Sequence, residues 1–342
     1  MKAARLVEYN RPLRLDEVPE PEIAGPHDVI VKIGGAGVCH TDLHLIQGVW
    51  AETLGVSLPY TLGHENAGWV HAVGPAVTSV QVGDPVIVHP VMSCGTCLPC
   101  RRGEDMHCEN MAFPGLTTDG GFAEYLKTNE RAVIKLPAGV EPADVAPYAD
   151  AGITAYRAVR KVAPLARPGT TAVIIGVGGL GHIAVQLLRE LGQSTILAVD
   201  VNDSRLDMAL ELGAAHAVRA GDRAVAEVRR LTGDRGADIV IDFVGNDTTH
   251  RQGIDMLRKG GMYSIVGYGG RVSVPSLAMI NNELTVAGNL VGNYSELWEL
   301  MELHAQGKVK LHTSRYGLGE VNEVLHRLEN GQVNGRAVLV PA

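Results

Sequence analysis

Short apolar runs separated by glycine and proline characterise the first half of the chain. Residues 29–33, 67–73 and 85–88 are typical of these runs. They are rich in β-branched residues and have the length of strands rather than of helices. The pattern therefore predicts an irregular, mostly β domain over residues 1–148.

From about residue 151 onward, apolar strands alternate with amphipathic helices. The predicted elements cover residues 171–175, 180–191, 196–200, 204–212, 239–243 and 262–266. Strands that alternate with helices form a parallel sheet with helices on both faces. This half of the chain is therefore predicted to be an α/β domain with a doubly wound parallel sheet.

The last segment returns to a β pattern. Residues 333–340 end in an apolar run that is typical of a strand, and this strand is predicted to join the first domain. We therefore expect a discontinuous domain of residues 1–150 and 292–342, and a second domain of residues 151–291.

A glycine-rich turn follows the first strand of the second domain and opens a helix. Gly176 permits the tight turn, Gly178 lets the backbone approach a pyrophosphate, and Gly181 lets helix and strand pack closely. The next strand ends in Asp200, at the distance where an acid binds the adenosine ribose. The pattern predicts a dinucleotide site, although a turn that merely joins strand to helix is the alternative. Its predicted contact residues are Gly176, Gly178, Gly179, Leu180, Gly181 and Asp200.

The same acid indicates which dinucleotide binds. The Asp200 carboxylate would repel the 2′-phosphate of NADP, and no basic residue follows it directly. NAD is therefore favoured. Arg205 weakens this preference slightly, because it is close enough in sequence to lie over the adenine or on a solvated helix face.

Four of the five cysteines lie in one short loop, with the spacing Cys94-x2-Cys97-x2-Cys100-x7-Cys108. Four thiolates this close match the closed tetrahedral shell of a structural zinc. The alternative is a pair of disulfides, which the lack of a secretory signal disfavours. Cys39 lies far upstream, so the distribution suggests a second, separate zinc site.

Composition is consistent with a cytoplasmic enzyme of two domains. The chain has 342 residues, and its net charge of −8 is spread without long like-charge runs. This charge argues against nucleic acid or anionic lipid as a partner. No apolar stretch is long enough to span a bilayer.

Several of these segments together resemble the zinc-dependent medium-chain alcohol dehydrogenases, in particular their shorter microbial forms. The similarity runs over essentially the whole chain. It is carried by residues 37–42 (GVCHTD), 62–65 (LGHE), 120–125 (GGFAEY), 150–154 (DAGIT), the four-cysteine loop, the glycine turn and Gly335-Arg336. The resemblance implies a GroES-like, mostly β catalytic domain, a Rossmann domain that binds NAD, and two Zn²⁺ per subunit, one catalytic and one structural.

In this family the catalytic zinc takes its ligands from three of these motifs, which implies Cys39, His64 and the residue at position 150. Most members have a cysteine there, whereas this chain has Asp150. A carboxylate carries the charge of a thiolate, so the set still neutralises Zn²⁺ and leaves a fourth position open. The alternative is that Asp150 caps the helix starting at residue 151. Asp42 is expected to bind His64. Glu65 is expected to lie just outside the ligands, with the alternative that it approaches the metal when the fourth ligand leaves.

The implied reaction is hydride transfer from an alcohol to NAD⁺. Thr41 would receive the alcohol proton and pass it through the nicotinamide ribose to His44, which exchanges it with water. His40 would lie near the coenzyme pyrophosphate, or else on an ordinary surface. Further coenzyme contacts are implied for Thr154, Phe243, Val244, Gly267, Tyr268, Leu290, Val291 and Arg336. Each of these could instead be a packing residue.

The alcohol pocket is assigned to Trp50, Tyr60, Phe113 and Tyr294. An apolar, partly aromatic lining favours a medium-chain secondary or aryl-substituted alcohol. The alternatives are a polyol dehydrogenase, a zinc-loaded protein that senses NADH without turnover, and a zinc-independent reductase of enones or quinones. The short microbial relatives are typically tetramers, so a homotetramer is expected.

Overall fold

The computed structural model describes residues 1–341, which form two compact units. The first unit comprises residues 1–153, 292–307 and the segment from 311 onward, and the second comprises residues 154–291 and 308–310. The domain boundaries predicted from the sequence lie after residues 150 and 291. The short piece 308–310 belongs to the second unit because the Lys310 amide and carbonyl both bond the Gln186 side chain, each at 2.9 Å.

Two sheets build the first unit. A three-stranded sheet has the order β2-β1-β4, and a seven-stranded sheet has the order β15-β16-β3-β5-β6-β8, with β7 paired to β3. The strands of the small sheet are β1 (Lys2–Leu6), β2 (Arg14–Glu17) and β4 (Tyr60–Thr61). Those of the large sheet are β3 (Asp28–Val38), β5 (Glu65–Val73), β6 (Pro85–Val88), β7 (Tyr125–Asn129), β8 (Val133–Lys135), β15 (Thr313–Gly317) and β16 (Arg336–Val340).

Helices in the first unit are mostly short. They are α1 (His40–Ile46), α2 (Ala51–Leu54), α3 (Leu98–Arg101), α4 (Pro142–Val145), α11 (Tyr294–Ala305) and α12 (Val321–Glu329). A longer helix, α5 (Ala151–Val162), begins in this unit and continues into the second. The core is apolar and includes the fully buried Leu6, Val31, Leu62 and Phe122.

A six-stranded sheet with all strands parallel forms the centre of the second unit, in the order β11-β10-β9-β12-β13-β14. Its strands are β9 (Thr171–Ile175), β10 (Thr195–Asp200), β11 (His216–Arg219), β12 (Ala237–Asp242), β13 (Leu257–Ile265) and β14 (Thr285–Gly288). Its helices are α6 (Gly181–Leu191), α7 (Asp203–Leu212), α8 (Ala224–Leu231), α9 (Asp247–Met256) and α10 (Ser276–Asn282). The predicted α/β class is confirmed.

Burial in this sheet explains why its central strands read as continuous apolar runs. Every residue of β9 and β12 is buried, as expected when both faces of a sheet are covered. These two strands are neighbours, and the strand order reverses between them. A crevice opens outside the carboxyl ends of the strands at such a reversal, and this is where doubly wound sheets bind ligands. Among residues 1–341, no helix is both long and apolar enough to cross a membrane.

Candidate metal centres and coenzyme site

The four-cysteine loop brings its sulfur atoms together in the first unit. The Sγ–Sγ distances are 3.4 Å for Cys97–Cys100, 3.9 Å for Cys97–Cys108 and 4.0 Å for Cys94–Cys100. A tetrahedral zinc with Zn–S bonds of about 2.3 Å requires sulfurs about 3.8 Å apart. None of the five cysteines is in a disulfide, whose sulfurs would lie about 2.05 Å apart. The geometry fits a structural zinc.

Hydrogen bonds from a hydroxyl and two main-chain amides stabilise the thiolate form of Cys94. The Thr96 hydroxyl, followed by the Cys97 and Thr96 amides, lowers the pKa of Cys94 to about 5, which favours the thiolate that binds zinc. Gly95 has φ 73°, and a Cβ there would lie 2.6 Å from the Arg131 guanidinium carbon. The loop therefore needs glycine at position 95, both for its conformation and for space.

A second cluster of possible metal ligands lies elsewhere in the first unit. One ligand atom from each of Cys39, His64, Glu65 and Asp150 lies within 4.8 Å of every other. Asp150 Oδ2 is 3.5 Å from His64 Nε2 and 3.9 Å from Cys39 Sγ. Thiolate, imidazole and carboxylate are the donors that zinc takes in proteins, and the cluster is mostly buried. The residues therefore fit a catalytic type of zinc site.

Strand register positions two of these residues. Gly37 in β3 is the antiparallel partner of Glu65 in β5, so Cys39 after the end of β3 and His64 before the start of β5 fall at the same edge of the sheet. A Cβ on Gly37 would lie 1.9 Å from Glu65 Oε2. Glycine at position 37 therefore makes room for the Glu65 carboxylate.

Asp42 lies beside two of the candidate ligands, Cys39 and His64. Its Oδ2 accepts a hydrogen bond of 2.8 Å from the Cys39 amide, and its Oδ1 lies 3.4 Å from His64 Nδ1. Burial lowers the pKa of His64, but the carboxylates of Asp42 and Asp150 outweigh it, so the pKa lies well above its ordinary value. A site that holds a proton this strongly has a negative potential, which also attracts a metal cation.

The surroundings of Asp150 bear on whether it is a ligand or a helix cap. The first amide of α5, that of Ala151, donates to Glu65 Oε1 at 3.1 Å. The Asp150 carboxylate meanwhile lies beside His64 and Cys39. This arrangement favours the ligand interpretation, because the Asp150 carboxylate is close to the other two candidate ligands.

Arg336, a predicted pyrophosphate contact, lies beside the candidate metal ligands. Its guanidinium is 3% exposed and its Nη2 pairs with Glu65 Oε2 at 2.5 Å. Burial alone would lower the pKa of Arg336, but the Glu65 carboxylate raises it above its ordinary value. Arg336 therefore neutralises a buried acid beside the candidate metal ligands, and its contact with the pyrophosphate stays a prediction.

We expect Arg336→Met to lower the free energy of unfolding by about 3–5 kcal/mol, because it leaves the buried Glu65 carboxylate without its cationic partner. The matched control is Arg315→Met, which removes an ion pair to Asp144 whose side chains are 51% and 48% exposed. That pair is worth about 0–1 kcal/mol. Urea unfolding of both variants measures the difference. Equal losses would show that the Arg336–Glu65 pair does not stabilise the fold as a buried pair should.

The predicted proton-relay residues all lie on the helix that follows Cys39. Thr41 and His44 are partly exposed on α1, and His40, its first residue, is exposed. The ring centroids of His44 and Trp50 are 6.0 Å apart. The helix thus presents Thr41 and His44 directly after a metal ligand, and their roles remain predictions.

The four predicted pocket residues have different surroundings. Phe113 lies close to the cluster, with its ring centroid 6.3 Å from that of His64. Tyr60 is 5% exposed and belongs to the apolar core, because its strand is paired to β1. The Tyr294 hydroxyl donates to the Val133 carbonyl at 3.2 Å. The assignment of Trp50, Tyr60, Phe113 and Tyr294 to the alcohol pocket stays a prediction.

The glycine turn has the predicted conformation at the end of β9. Gly176 has φ 84°, and a Cβ on Gly181 would lie 1.9 Å from the Gly176 carbonyl oxygen, so helix and turn touch as the motif requires. Gly178 faces open space, with Arg205 Nη1 nearest at 3.8 Å. Asp200 Oδ2 accepts a 2.7 Å hydrogen bond from the Val177 amide, and this bond fixes the Asp200 side chain to the glycine turn.

The other predicted coenzyme residues of the second unit range from buried to exposed. Val244, Tyr268 and Leu290 are 42%, 48% and 52% exposed. Phe243 and Gly267 are partly buried. The Thr154 carbonyl accepts from Asn289 Nδ2 at 3.0 Å.

Val291 is the strained residue of this group. Its φ of 37° is rare for a β-branched residue. Such strain is concentrated at functional sites, and the predicted carboxamide contact at Leu290 and Val291 stays a prediction.

The hydrophobic pattern and the motifs do not single out Asp242, an acid at the same end of the sheet as Asp200. Asp242 closes the apolar strand β12 just as Asp200 closes β10, and both side chains accept amides of the turn that follows or adjoins the strand. An acid at the end of an apolar strand thus occurs twice in this unit. Repetition of that pattern is the signal that would have found Asp242.

Comparisons with known proteins agree with this architecture. The family described as alcohol dehydrogenase GroES-like domain matches residues 25–138, and zinc-binding dehydrogenase matches residues 179–306. A curated NAD-dependent alcohol dehydrogenase of Sulfurisphaera tokodaii is 39% identical over 100% of both chains. A D-arabinose 1-dehydrogenase (NADP⁺) of Saccharolobus solfataricus is 37% identical, over 99% of this chain and 97% of the relative.

Among solved structures, the alcohol dehydrogenase of the hyperthermophilic archaeon Aeropyrum pernix is 53% identical. Its TM-score is 0.97, and the match covers 100% of both chains. Both family matches and the full-length relatives confirm the resemblance that the sequence motifs indicated. The chain belongs to the zinc-dependent medium-chain alcohol dehydrogenases.

Proposed function

We propose that the protein interconverts an alcohol and its ketone or aldehyde by zinc-dependent hydride transfer with NAD. The observation that carries this proposal is the convergence of Cys39, His64 and Asp150, together with Glu65, in one largely buried cluster. A glycine turn joined to Asp200 in the second unit provides the matching coenzyme site. Similarity to dehydrogenases over the full length supports both assignments.

Cys39, His64 and Asp150 would hold the catalytic zinc, and the four-cysteine loop would hold the structural zinc. One thiolate and one carboxylate balance the charge of Zn²⁺, and three protein ligands leave a position for the alcohol. When bound, the metal supplies Lewis acidity towards the alcohol oxygen, and the nicotinamide accepts the hydride.

The chain's own residues orient the site and move the proton. Asp42 lies against His64 Nδ1 and so keeps Nε2 facing the other ligands. Thr41 would accept the proton of the alcohol and pass it through the coenzyme ribose to His44. His44 is partly exposed on the same helix and would release the proton to water. Phe113 and Trp50 would give the pocket an apolar wall that suits a medium-chain secondary or aryl alcohol.

The choice of NAD over NADP rests on Asp200. Its carboxylate lies at the glycine turn, where it would repel a 2′-phosphate. Arg205 Nη1 is 3.9 Å from Asp200 Oδ1, so its charge is directed at the acid. The NADP⁺ named for the arabinose dehydrogenase is the alternative that a direct comparison of the two coenzymes tests.

The test is NADH formation on a panel of primary, secondary, aryl and polyol substrates, with zinc counted in the same preparation. We expect turnover with secondary or aryl alcohols, a preference for NAD over NADP, and two zinc ions per chain. NADH binding without turnover on any alcohol would identify a sensor instead. Activity that survives complete removal of zinc would contradict the metal-dependent mechanism.

We also propose that the protein acts as a cytoplasmic homotetramer. Strand β14 is paired only with β13 among the described strands, which leaves its other edge open for a second copy of the chain. Leu277 and Ile280 on the neighbouring helix are 67% and 70% exposed, which suits an apolar contact between copies. A light-scattering mass near that of a monomer would overturn this assembly.

Five cysteines without disulfides suit a reducing compartment.

A further inference from the structure

Three buried polar side chains of the second unit form a connected network that the proposed chemistry does not use. The Tyr263 hydroxyl donates to Asp242 Oδ2 at 2.6 Å, and His250 Nδ1 lies 2.7 Å from the same hydroxyl. Asp242 and Tyr263 are 0% exposed and His250 is 3% exposed. Because the hydroxyl has one proton and gives it to Asp242, His250 must donate from Nδ1. Burial, followed by the Asp242 charge, raises the pKa of Tyr263, which keeps this hydroxyl protonated.

The other oxygen of Asp242 holds the turn that leaves β12. Asp242 Oδ1 accepts the amide of Val244 at 2.8 Å and that of Gly245 at 3.0 Å. Gly245 has φ 72°, and a Cβ there would lie 2.1 Å from the Gly267 backbone, so this turn is pressed against the end of the next strand. The carboxylate is thus shared between the network behind it and the turn in front of it.

This turn lies beside the glycine turn. A Cβ on Gly176 would come within 2.7 Å of Val244 Cγ2, so the Val244 side chain rests directly over the first glycine of the motif. Both turns follow neighbouring strands, β9 and β12, at the point where the strand order reverses. A shift of residues 243–245 would therefore move the wall of the crevice in which doubly wound sheets bind a dinucleotide.

We propose that Asp242, Tyr263 and His250 form a positioning network that fixes residues 243–245 against the glycine turn and thereby sets the affinity for the dinucleotide coenzyme. The inference rests on the proposed function of the second unit. A core position that needed only packing would be filled more simply by apolar residues, since each buried polar group must be paired. Here the series of hydrogen bonds from His250 through Tyr263 and Asp242 ends on the amides of Val244 and Gly245, in the turn beside the glycine turn.

The experiment is a fluorescence titration of the zinc-loaded enzyme with NADH, comparing wild type with Tyr263→Phe. Loss of the hydroxyl removes the 2.6 Å hydrogen bond to Asp242 Oδ2 and leaves only His250 Nδ1, at 3.5 Å, near this oxygen. The carboxylate is then held less firmly against the Val244 and Gly245 amides. We expect the Kd for NADH to rise about tenfold, equivalent to about 1.4 kcal/mol. The KM for coenzyme should rise with it, whereas kcat at saturating coenzyme and the zinc content should stay close to wild type.

A matched control is Tyr148→Phe, which removes an equally buried hydroxyl that bonds His304 Nδ1 at 3.2 Å in the first unit. This variant should bind NADH as wild type does, although it loses a comparable hydrogen bond. An equal loss of NADH affinity in both variants would indicate a general structural effect and would overturn the inference. Unchanged NADH affinity in Tyr263→Phe would also overturn it.

Two further variants keep the test decisive if Tyr263→Phe does not fold. His250→Asn can still donate from an amide placed like Nδ1, whereas His250→Leu cannot. We expect NADH to bind more tightly to H250N than to H250L, and equal affinities would overturn the inference. If wild type itself fails to bind NADH, the proposed function is overturned together with the inference. If wild type binds NADH and the variants bind it equally well, only the positioning network is overturned.

Discussion

Asp150→Ala is expected to lose one of two zinc ions per chain and, with it, alcohol oxidation. We expect the rate to fall by on the order of a thousandfold, well beyond the roughly 10–100-fold that loss of an outer partner of a metal ligand costs. The reason is geometric, because Asp150 Oδ2 lies 3.5 Å from His64 Nε2 and 3.9 Å from Cys39 Sγ. Without it, a single thiolate and a neutral imidazole are left to hold the ion. Metal analysis and steady-state kinetics on the same samples measure both losses.

Two variants give this result its meaning. Asp150→Cys supplies the ligand that most family members use, so it should recover the zinc and a large part of the activity. Asp144→Ala removes an acid of the preceding helix whose side chain is 48% exposed, and it should change neither. If Asp150→Ala retains two zinc ions and its activity, the third ligand lies elsewhere, and Glu65 is the next residue to replace.

The second large effect is expected for Cys97→Ser. Cys97 Sγ lies 3.4 Å from Cys100 Sγ and 3.9 Å from Cys108 Sγ, so its loss opens a closed four-thiolate shell. Structural zinc contributes its binding free energy directly to folding, which amounts to roughly 10–16 kcal/mol in isolated zinc-finger peptides. We expect the loss of one zinc per chain and a melting temperature lower by roughly 10 °C or more.

Leu98→Ala is the appropriate comparison for that variant. It alters the neighbouring residue in the same loop, but its side chain is 58% exposed and donates nothing to the metal. Zinc content and melting temperature should therefore stay near those of the unaltered protein. A Cys97→Ser protein that melts like Leu98→Ala would mean that the loop folds without its metal, contrary to the structural role proposed here.

Several edge elements were beyond the reach of the hydrophobic pattern. Strand β11 has a single buried residue, Val218, because it lies at the edge of the sheet, and α10 has no buried residue at all. The opposite edge strand, β14, likewise has none that is fully buried. Where neither face of an element is covered, apolar and polar residues lose their periodicity, and a sequence gives no sign of the element.

Local spacing was sufficient for the parts of the protein whose partners are close in sequence. The four cysteines lie within one loop, the glycine turn lies between adjacent elements, and Asp200 closes the very next strand. The alternation of buried strands with amphipathic helices likewise predicted the parallel sheet, because each central strand is covered on both faces. In each of these cases, chain geometry fixes the distance between the groups, so the pattern alone carries the information.

Only the tertiary structure decided which distant side chains meet. Arg336 and Glu65 are 271 positions apart, and strand pairing rather than any motif brings the guanidinium to the carboxylate. The same applies to Tyr60, which pairing with β1 turns into the core, and to Tyr263, whose hydroxyl reaches Asp242 from the neighbouring strand. A one-residue change of register reverses the face of every side chain in a strand, so such contacts follow from the assembled sheets and not from the local sequence.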